Sequence, residues 1–382
     1  MAERMRVAVV GVSVGATSGV RDHAALLADA LDAQGITCSM HWLMRDRDTL
    51  RGAGAQVRSW TRGLDGELER SGADAILLHY SVFSYSYRGL PLFVAPVMSA
   101  LGRSRLPIVA FMHELAFPLH KAGLRGDVWA ITQRAALIDV VRRCSAIVLT
   151  ADFRMQWFDS RGWLPSRPLA LAPVFSTLPA SVPVEPATRV GELIGLFGYR
   201  YDDGATARVL DALGLLRSRG AEVRLRLLGG PGAASASGRA WLAGAEHRGL
   251  AHAVSFSGTL PAQQLADELA RCDVLLFADT PGPSSRKTTL AGSLASGRPL
   301  VATDGHRGWS QLTHARAARV VPRSADALAA AVAELLADES EREALGARGR
   351  AFAEQEMGVA RTVEAVSALL AEASHSAQGR PR

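Results

Sequence analysis

The chain has 382 residues, of which 48% are hydrophobic and 21% charged, with a formal net charge of +6. That composition excludes wholesale disorder and leaves room for two or three domains with substantial cores. The basic excess is scattered through amphipathic segments with no basic run, finger or RNA-binding signature, so nucleic acid is not the expected partner; an anionic small molecule or an acidic membrane surface accounts for it equally well.

Strand-like and helix-like segments alternate twice along the chain. Arg6–Val12 is an apolar run closing around Gly11, and Asp22–Gln34 is an amphipathic helix stopped by Gly35. Ile36–Leu43, Ala75–Leu78, Pro107–Phe111 and Ala146–Leu149 read as further strands, with helical stretches such as Val128–Arg143 between them. The stretch 176–190 is rich in Pro, Ala and Val and reads as a linker. The pattern then restarts: Leu193–Phe197, Arg224–Leu228, Val254–Ser257, Val274–Phe277, Pro299–Ala302 and Arg319–Val321 are strands, and Ala205–Arg219, Asp326–Ala337, Glu341–Glu356 and Ala360–Ala373 are helical. Strands alternating with helices predict α/β architecture, two tandem Rossmann-like doubly wound domains facing across a cleft. The expected divisions are 1–175, the linker 176–190, 191–356, a last helix at 357–373 with packing back on the first domain as one arrangement, and a frayed tail at 374–382.

Cys38, Cys144 and Cys272 lie far apart beside apolar runs and read as reduced core residues, consistent with a cytoplasmic setting. Met1–Arg6 leads straight into a strand without a signal-peptide pattern, and no apolar run reaches about 18 residues.

The most informative stretch is Ser284-Ser285-Arg286-Lys287-Thr288-Thr289, which follows the strand Val274–Phe277 and opens a helical segment, Leu290–Ser296. A helix start carries unpaired N–H groups and roughly half a positive charge, a natural seat for phosphate. Caps and a solvated basic face are the plainer reading of the same residues. The loop Gly11–His23 has Gly11, Gly15 and Gly19 but not the GxGxxG spacing; Ser18 and Gly19 can approach a diphosphate or simply cap the helix. Arg200 follows the first strand of the second domain and can reach a phosphate, whereas Asp202 and Asp203 read as turn and cap residues. Gly229, Gly258, Thr259 and Leu260 lie just after strands and border a nucleotide base or ribose, or serve turning alone. His113 and Glu114 sit at a strand end where a catalytic residue is expected, or form a structural pair. Tyr80, Phe83, Tyr85 and Tyr87 offer ring faces to an acceptor, or belong to core and turn. Trp309, with His306 and Arg307, lies in a loop that can border the donor sugar.

With these segments in view, the chain resembles the GT-B glycosyltransferases of the family-4 type (glycosyl transferases group 1) over nearly its whole length. Thr17–Gly35 resembles the first Gly-loop and helix, Gly258–Thr280 the run into the donor site, and Gly292–Asp304 the helix and strand after it. Typical members carry two glutamates eight positions apart around that helix, and those places here hold Ser284 and Gly292. The resemblance implies a nucleotide-diphosphate sugar as substrate, no cofactor and no metal, and retaining transfer; the aromatic content near Tyr80–Tyr87 points to a small-molecule acceptor of the natural-product or cyclitol kind. His113 would position or polarise; Arg286, Lys287 and the Thr288–Thr289 helix start would grip the diphosphate. Membrane-surface association stays open, as does oligomeric state. Two other readings remain: a nucleotide-sugar epimerase or transferase of a non-sugar group on the same scaffold, and a non-catalytic or partner-dependent binding protein.

Overall fold

The computed structural model describes residues 4–15, 18–179, 192–199, 201–230 and 232–378. The chain divides into two compact units, one of Met1–Pro173 with Val359–Arg382 and one of Val174–Gly358. Each is built on a six-stranded, all-parallel sheet.

In the first unit, β1 (Arg6–Val14), β2 (Thr37–Arg45), β3 (Ala75–Ser81), β4 (Ile108–Glu114), β5 (Ala146–Leu149) and β6 (Leu169–Leu171) stand in the order β2-β1-β3-β4-β5-β6. All seven residues of β3 are buried. Their continuous apolar run is what a parallel strand covered on both faces requires. The helices are α1 (Gly19–Ala33), α2 (Leu50–Ser71), α3 (Val94–Arg103), α4 (Gly123–Arg143) and α5 (Asp152–Asp159). The C-terminal helix, Val359–Gln378, also belongs to this unit and contacts α1 and strands β3 to β6. It continues to Gln378, into the stretch read from sequence as a frayed tail.

In the second unit, β7 (Glu192–Phe197), β8 (Val223–Leu228), β9 (Val254–Phe256), β10 (Val274–Phe277), β11 (Leu300–Thr303) and β12 (Arg319–Val321) stand in the order β12-β11-β10-β7-β8-β9. Helices α6 (Asp203–Ser218), α7 (Ala236–His247), α8 (Ala262–Ala270), α9 (Thr288–Ala295), α10 (Ser310–His314), α11 (Ala325–Ala337) and α12 (Glu339–Glu356) surround it. Of the sequence-read linker, 180–190 lies outside the described residues.

Each strand order reverses once, between β1 and β3 in the first sheet and between β7 and β10 in the second. Connections leave such a pair toward opposite sides, so a crevice opens at the carboxyl ends of the two strands, where open α/β sheets bind ligands. The fold therefore singles out the loops after β1 and β3, and those after β7 and β10.

The three cysteines are free. Burial pushes the Cys38 and Cys144 thiols up to about 12, which makes both poor nucleophiles.

Candidate functional site

At the switch point of the second sheet, the loop after β10 leads into α9. It is pinned by backbone bonds: Gly282 N donates to Asp279 O, Arg307 N to Pro281 O, Trp309 N to Pro283 O, and Val174 N to Ser285 O. A loop held this way presents the first turn of α9 in a fixed direction. Lys287 occupies the cap position with no side-chain cap bond, so the first N–H groups of α9 are not taken by a capping side chain. Arg286, Lys287, Thr288 and Thr289 are partly exposed here, whereas Ser284 and Ser285 are buried. Lys287 Nζ lies 2.7 Å from Asp279 Oδ2, so its charge is already partly answered.

The loop after β7 meets this helix start closely. Gly198 has φ +73, and a Cβ there would stand 2.5 Å from Thr289 Cγ2. Both the left-handed backbone and the contact demand glycine. Arg200 lies outside the described residues. Asp202 caps α6, accepting from Ala205 N at 2.9 Å, and a hydrogen bond from the Thr280 hydroxyl is the main reason its carboxyl titrates below the usual range.

Sequence reasoning missed two cations that gather here. Arg208 of α6 donates to Thr280 Oγ1 at 3.3 Å, and Arg323, just past β12, donates to Thr280 O at 3.1 Å. They come from segments far apart in the chain, and nothing in local spacing marks them.

Gly229 and the Gly258–Leu260 loop lie at the same carboxyl edge, after β8 and β9. Gly229 N donates to Ser257 Oγ at 3.2 Å, and Thr259 Oγ1 to Gly230 O at 3.5 Å, which ties the two loops together. Trp309 is a correction to the sequence reading. Its ring is buried in the core of the second unit, 4.9 Å from the Phe352 ring, and offers no face to a sugar.

At the switch point of the first sheet, Ser18 caps α1, its hydroxyl accepting from Arg21 N at 3.4 Å, with Gly19 as the first helical residue. His113 closes β4. Its Nε2 is 3.0 Å from His79 Nδ1 of β3, and its ring centroid is 5.2 Å from that of His23 on α1. His79 opens the aromatic run noted in the sequence, yet neither it nor His23 was read as a site residue. Burial holds all three imidazoles neutral: His23 is lowered to about 3, and His79 and His113 well below 6.5. For His113 the neighbouring His23, His79 and Arg154 add to the burial effect.

Glu114 forms an ion pair with Arg154 of α5 at 3.0 Å. The buried Arg154 also donates to the His113 carbonyl at 2.6 Å and to Thr150 Oγ1 at 3.0 Å. The guanidinium thus fixes both the carboxylate and the backbone of the residue before it.

Of the four aromatic residues read as acceptor contacts, two are core residues, which corrects that reading. Tyr80 and Tyr85 are buried with ring centroids 5.4 Å apart, and the Tyr85 hydroxyl donates to His79 O at 3.1 Å. Burial raises both phenols far above their usual range. Phe83 is exposed, and Tyr87 is partly exposed with its hydroxyl donating to Asp48 O at 3.1 Å.

Residues 193–338 match the family described as Glycosyl transferases group 1. Solved structures share the whole fold at low identity. Sucrose-phosphate synthase from Thermosynechococcus elongatus is 16% identical with a TM-score of 0.69, covering 98% of this chain and 100% of its own. HepE from Anabaena, solved with UDP and glucose, is 15% identical with a TM-score of 0.66, covering 96% of this chain and 100% of its own. A putative UDP-N-acetylglucosamine 2-epimerase from Listeria monocytogenes is 12% identical with a TM-score of 0.61, covering 97% of this chain and 98% of its own. No curated protein matches the chain in sequence. Among the described residues, no helix is long and apolar enough to cross a membrane.

Proposed function

We propose that this chain is a glycosyltransferase of GT-B fold, in keeping with the match of residues 193–338 to the glycosyl transferases group 1 family, and that it transfers the sugar with retention to an acceptor hydroxyl and holds the donor diphosphate by cations and helix N–H groups. The observation that carries this reading is the α9 start, with Arg286 and Lys287 beside uncapped N–H groups at the β7/β10 switch point. Arg200, Ser18 and Gly19 are further proposed phosphate contacts, with Gly229, Gly258, Thr259 and Leu260 toward the base and ribose. Ser285 contributes through backbone, its side chain being buried.

In the reaction, the bond between the anomeric carbon and the β-phosphate oxygen breaks as the acceptor oxygen bonds the same face. The acceptor proton passes to the departing phosphate oxygen. Negative charge grows on that oxygen, and fixed donors aimed at it stabilise the transition state more than the ground state. His113 stays neutral, with Nε2 engaged by His79, and acts by positioning a sugar hydroxyl. Glu114 acts through Arg154 as part of the scaffold that holds it. Phe83 and Tyr87 are the proposed acceptor contacts, suited to a ring-bearing small molecule. Three free cysteines fit a cytoplasmic setting.

A panel of nucleoside diphosphates and their sugar conjugates, titrated by calorimetry against wild type and Arg286→Ala, tests the donor site. Micromolar binding that selects one base and is lost in the variant supports it, and no binding by wild type refutes it. A second reading, donor binding or epimerisation without transfer, is favoured by Gly292, where the typical ribose-gripping glutamate is missing. Release of free nucleotide, or of an epimer, without acceptor distinguishes it.

The first unit also carries a surface suited to an anionic lipid face. On α4, Leu124, Val128 and Ile131 are 88%, 51% and 61% exposed at helical spacing, while Gly126, Ala130, Gln133 and Leu137 form the buried side. Lys121 and Arg125 flank the stripe. Apolar side chains rimmed by cations are the pattern of a helix lying in a headgroup layer.

A further inference from the structure

We propose that His23, His79 and His113 form a binding site for one divalent transition ion of the zinc class, at the switch point of the first sheet. The three imidazoles come from α1, β3 and β4, and one nitrogen of each lies within 4.8 Å of the others. His79 Nδ1 and His113 Nε2 are 3.0 Å apart. Zn–N bonds of about 2.0–2.1 Å at tetrahedral angles set ligand nitrogens roughly 3.3 Å from one another. The His79–His113 edge is therefore close to the required length, and the remaining nitrogen has at most about 1.5 Å to close, within reach of small χ rotations.

The hydrogen bonding of the cluster points the same way. Two imidazoles in contact can share one proton. If His79 Nδ1–H donates to His113, His79 Nε2 is left a bare acceptor; in the other tautomer it is an N–H with nothing to receive it. His79 is fully buried, and its Nε2 has no hydrogen-bond partner among the described residues. A buried polar atom left so is costly and calls for an explanation. An ion between His79 Nδ1 and His113 Nε2 takes the place of the proton that the two rings otherwise share.

The ligand set and its walls choose the ion. Imidazole nitrogens without a carboxylate among them suit zinc and its neighbours, and do not suit magnesium or calcium, which take oxygen ligands. The Phe111 ring stacks on His79 with centroids 5.3 Å apart and lies 4.9 Å from His23, and the Trp42 ring approaches His79 at 6.1 Å. Such an apolar wall excludes competing water. The charge of the nearby Arg154 is answered in part by Glu114 at 3.0 Å. The site shares His113 with the proposed sugar contact and includes none of the phosphate-binding residues of the second unit, so ion titration tests it apart from the donor assignment.

The test uses the full chain without an affinity tag, stripped with EDTA. Zn²⁺ is titrated by calorimetry and Co²⁺ by visible absorption. The expected results are one ion per chain, the intense d–d absorption of tetrahedral Co²⁺, and a melting temperature that rises with ion concentration. His79→Gln and His23→Gln, each checked for folding by circular dichroism, are expected to lose more than the roughly 10–100-fold in affinity that outer-shell changes cost. His252→Gln, a histidine of the second unit, is expected to lose none. If one variant fails to fold, the other decides. Absence of saturable binding by wild type, or unchanged affinity in a folded His79 or His23 variant, overturns the proposal.

Discussion

The ring of Phe197 fills the space that a side chain at Gly292 would need. A Cβ at Gly292 would stand 2.9 Å from Phe197 Cε1 and 3.3 Å from Leu178 Cδ1. Phe197 closes β7 and Gly292 lies inside α9, so the strand and helix of the proposed donor site pack through this pair. At the place where the family that the chain resembles carries a ribose-gripping glutamate, this chain has Gly292 packed against an aromatic ring, so the proposed donor recognition rests on other residues.

Restoring that glutamate is therefore expected to fail. Gly292→Glu forces Phe197 aside and should destabilise the chain by about 1–3 kcal/mol through overpacking. It adds a carboxylate at a buried position. Gly292→Ala is a milder test: the gain in helix propensity, about 1 kcal/mol, offsets most of a smaller clash. Thermal melts of the two variants should thus separate by several degrees. A Gly292→Glu chain that melts like wild type and binds donor more tightly would show that the pocket opens.

Arg286→Ala and Lys287→Ala should each weaken donor binding. A hydrogen bond to a charged group contributes roughly 1.5–3 kcal/mol, or about ten- to hundredfold in affinity. Lys287 already faces Asp279 at 2.7 Å, so part of its charge is spent before phosphate arrives. Asp279→Asn is expected to enlarge the loss that Lys287→Ala causes, because it frees the ammonium for phosphate. Calorimetry on the same nucleoside diphosphate measures all three, and equal affinities in wild type and Arg286→Ala would remove the phosphate assignment.

Asp202 predicts an acid-side loss of stability. Its carboxyl titrates below 3.8 in the fold, chiefly because the Thr280 hydroxyl donates to it. A depressed carboxyl contributes stability that is complete above the unfolded value and is lost as pH falls below about 3.8 toward the folded value. Asp202→Asn keeps a capping oxygen and should lessen that acid sensitivity. Asp202→Ala should cost about 1 kcal/mol near neutral pH by uncapping α6. Melting temperatures of the three chains between neutral pH and pH values below about 3.8 check both expectations.

Two tandem parallel-sheet domains were legible because buried strands such as β3 and β10 are short apolar runs separated by helical periodicity. The strand ends of the candidate site were legible for the same reason, since fold rules place ligands there. What was not legible is long-range packing. Tyr80 and Tyr85 lie in a segment rich in rings and hydroxyls, and nothing local tells that both are buried. His23, His79 and His113 are separated by dozens of residues and meet only because β3 pairs with β1 on one side and β4 on the other. The short β6 and the cations around Thr280 escaped for the same reason.

The exposed stripe of α4 predicts a specific response to lipid. Burying Leu124, Val128 and Ile131 in a headgroup layer removes apolar surface from water at about 25 cal/mol per Å², and nearby Lys121 and Arg125 each add attraction of about 1 kcal/mol to an anionic leaflet. The chain should therefore sediment with phosphatidylglycerol vesicles and not with phosphatidylcholine vesicles, and salt should release it. Leu124→Ser with Ile131→Ser should abolish sedimentation while leaving the melting temperature within about a degree, because both side chains face solvent. Lys121→Gln with Arg125→Gln should weaken it and flatten its salt dependence. Concentration-dependent dimerisation in the absence of lipid, lost in the serine pair, would instead assign the stripe to a second copy of the chain.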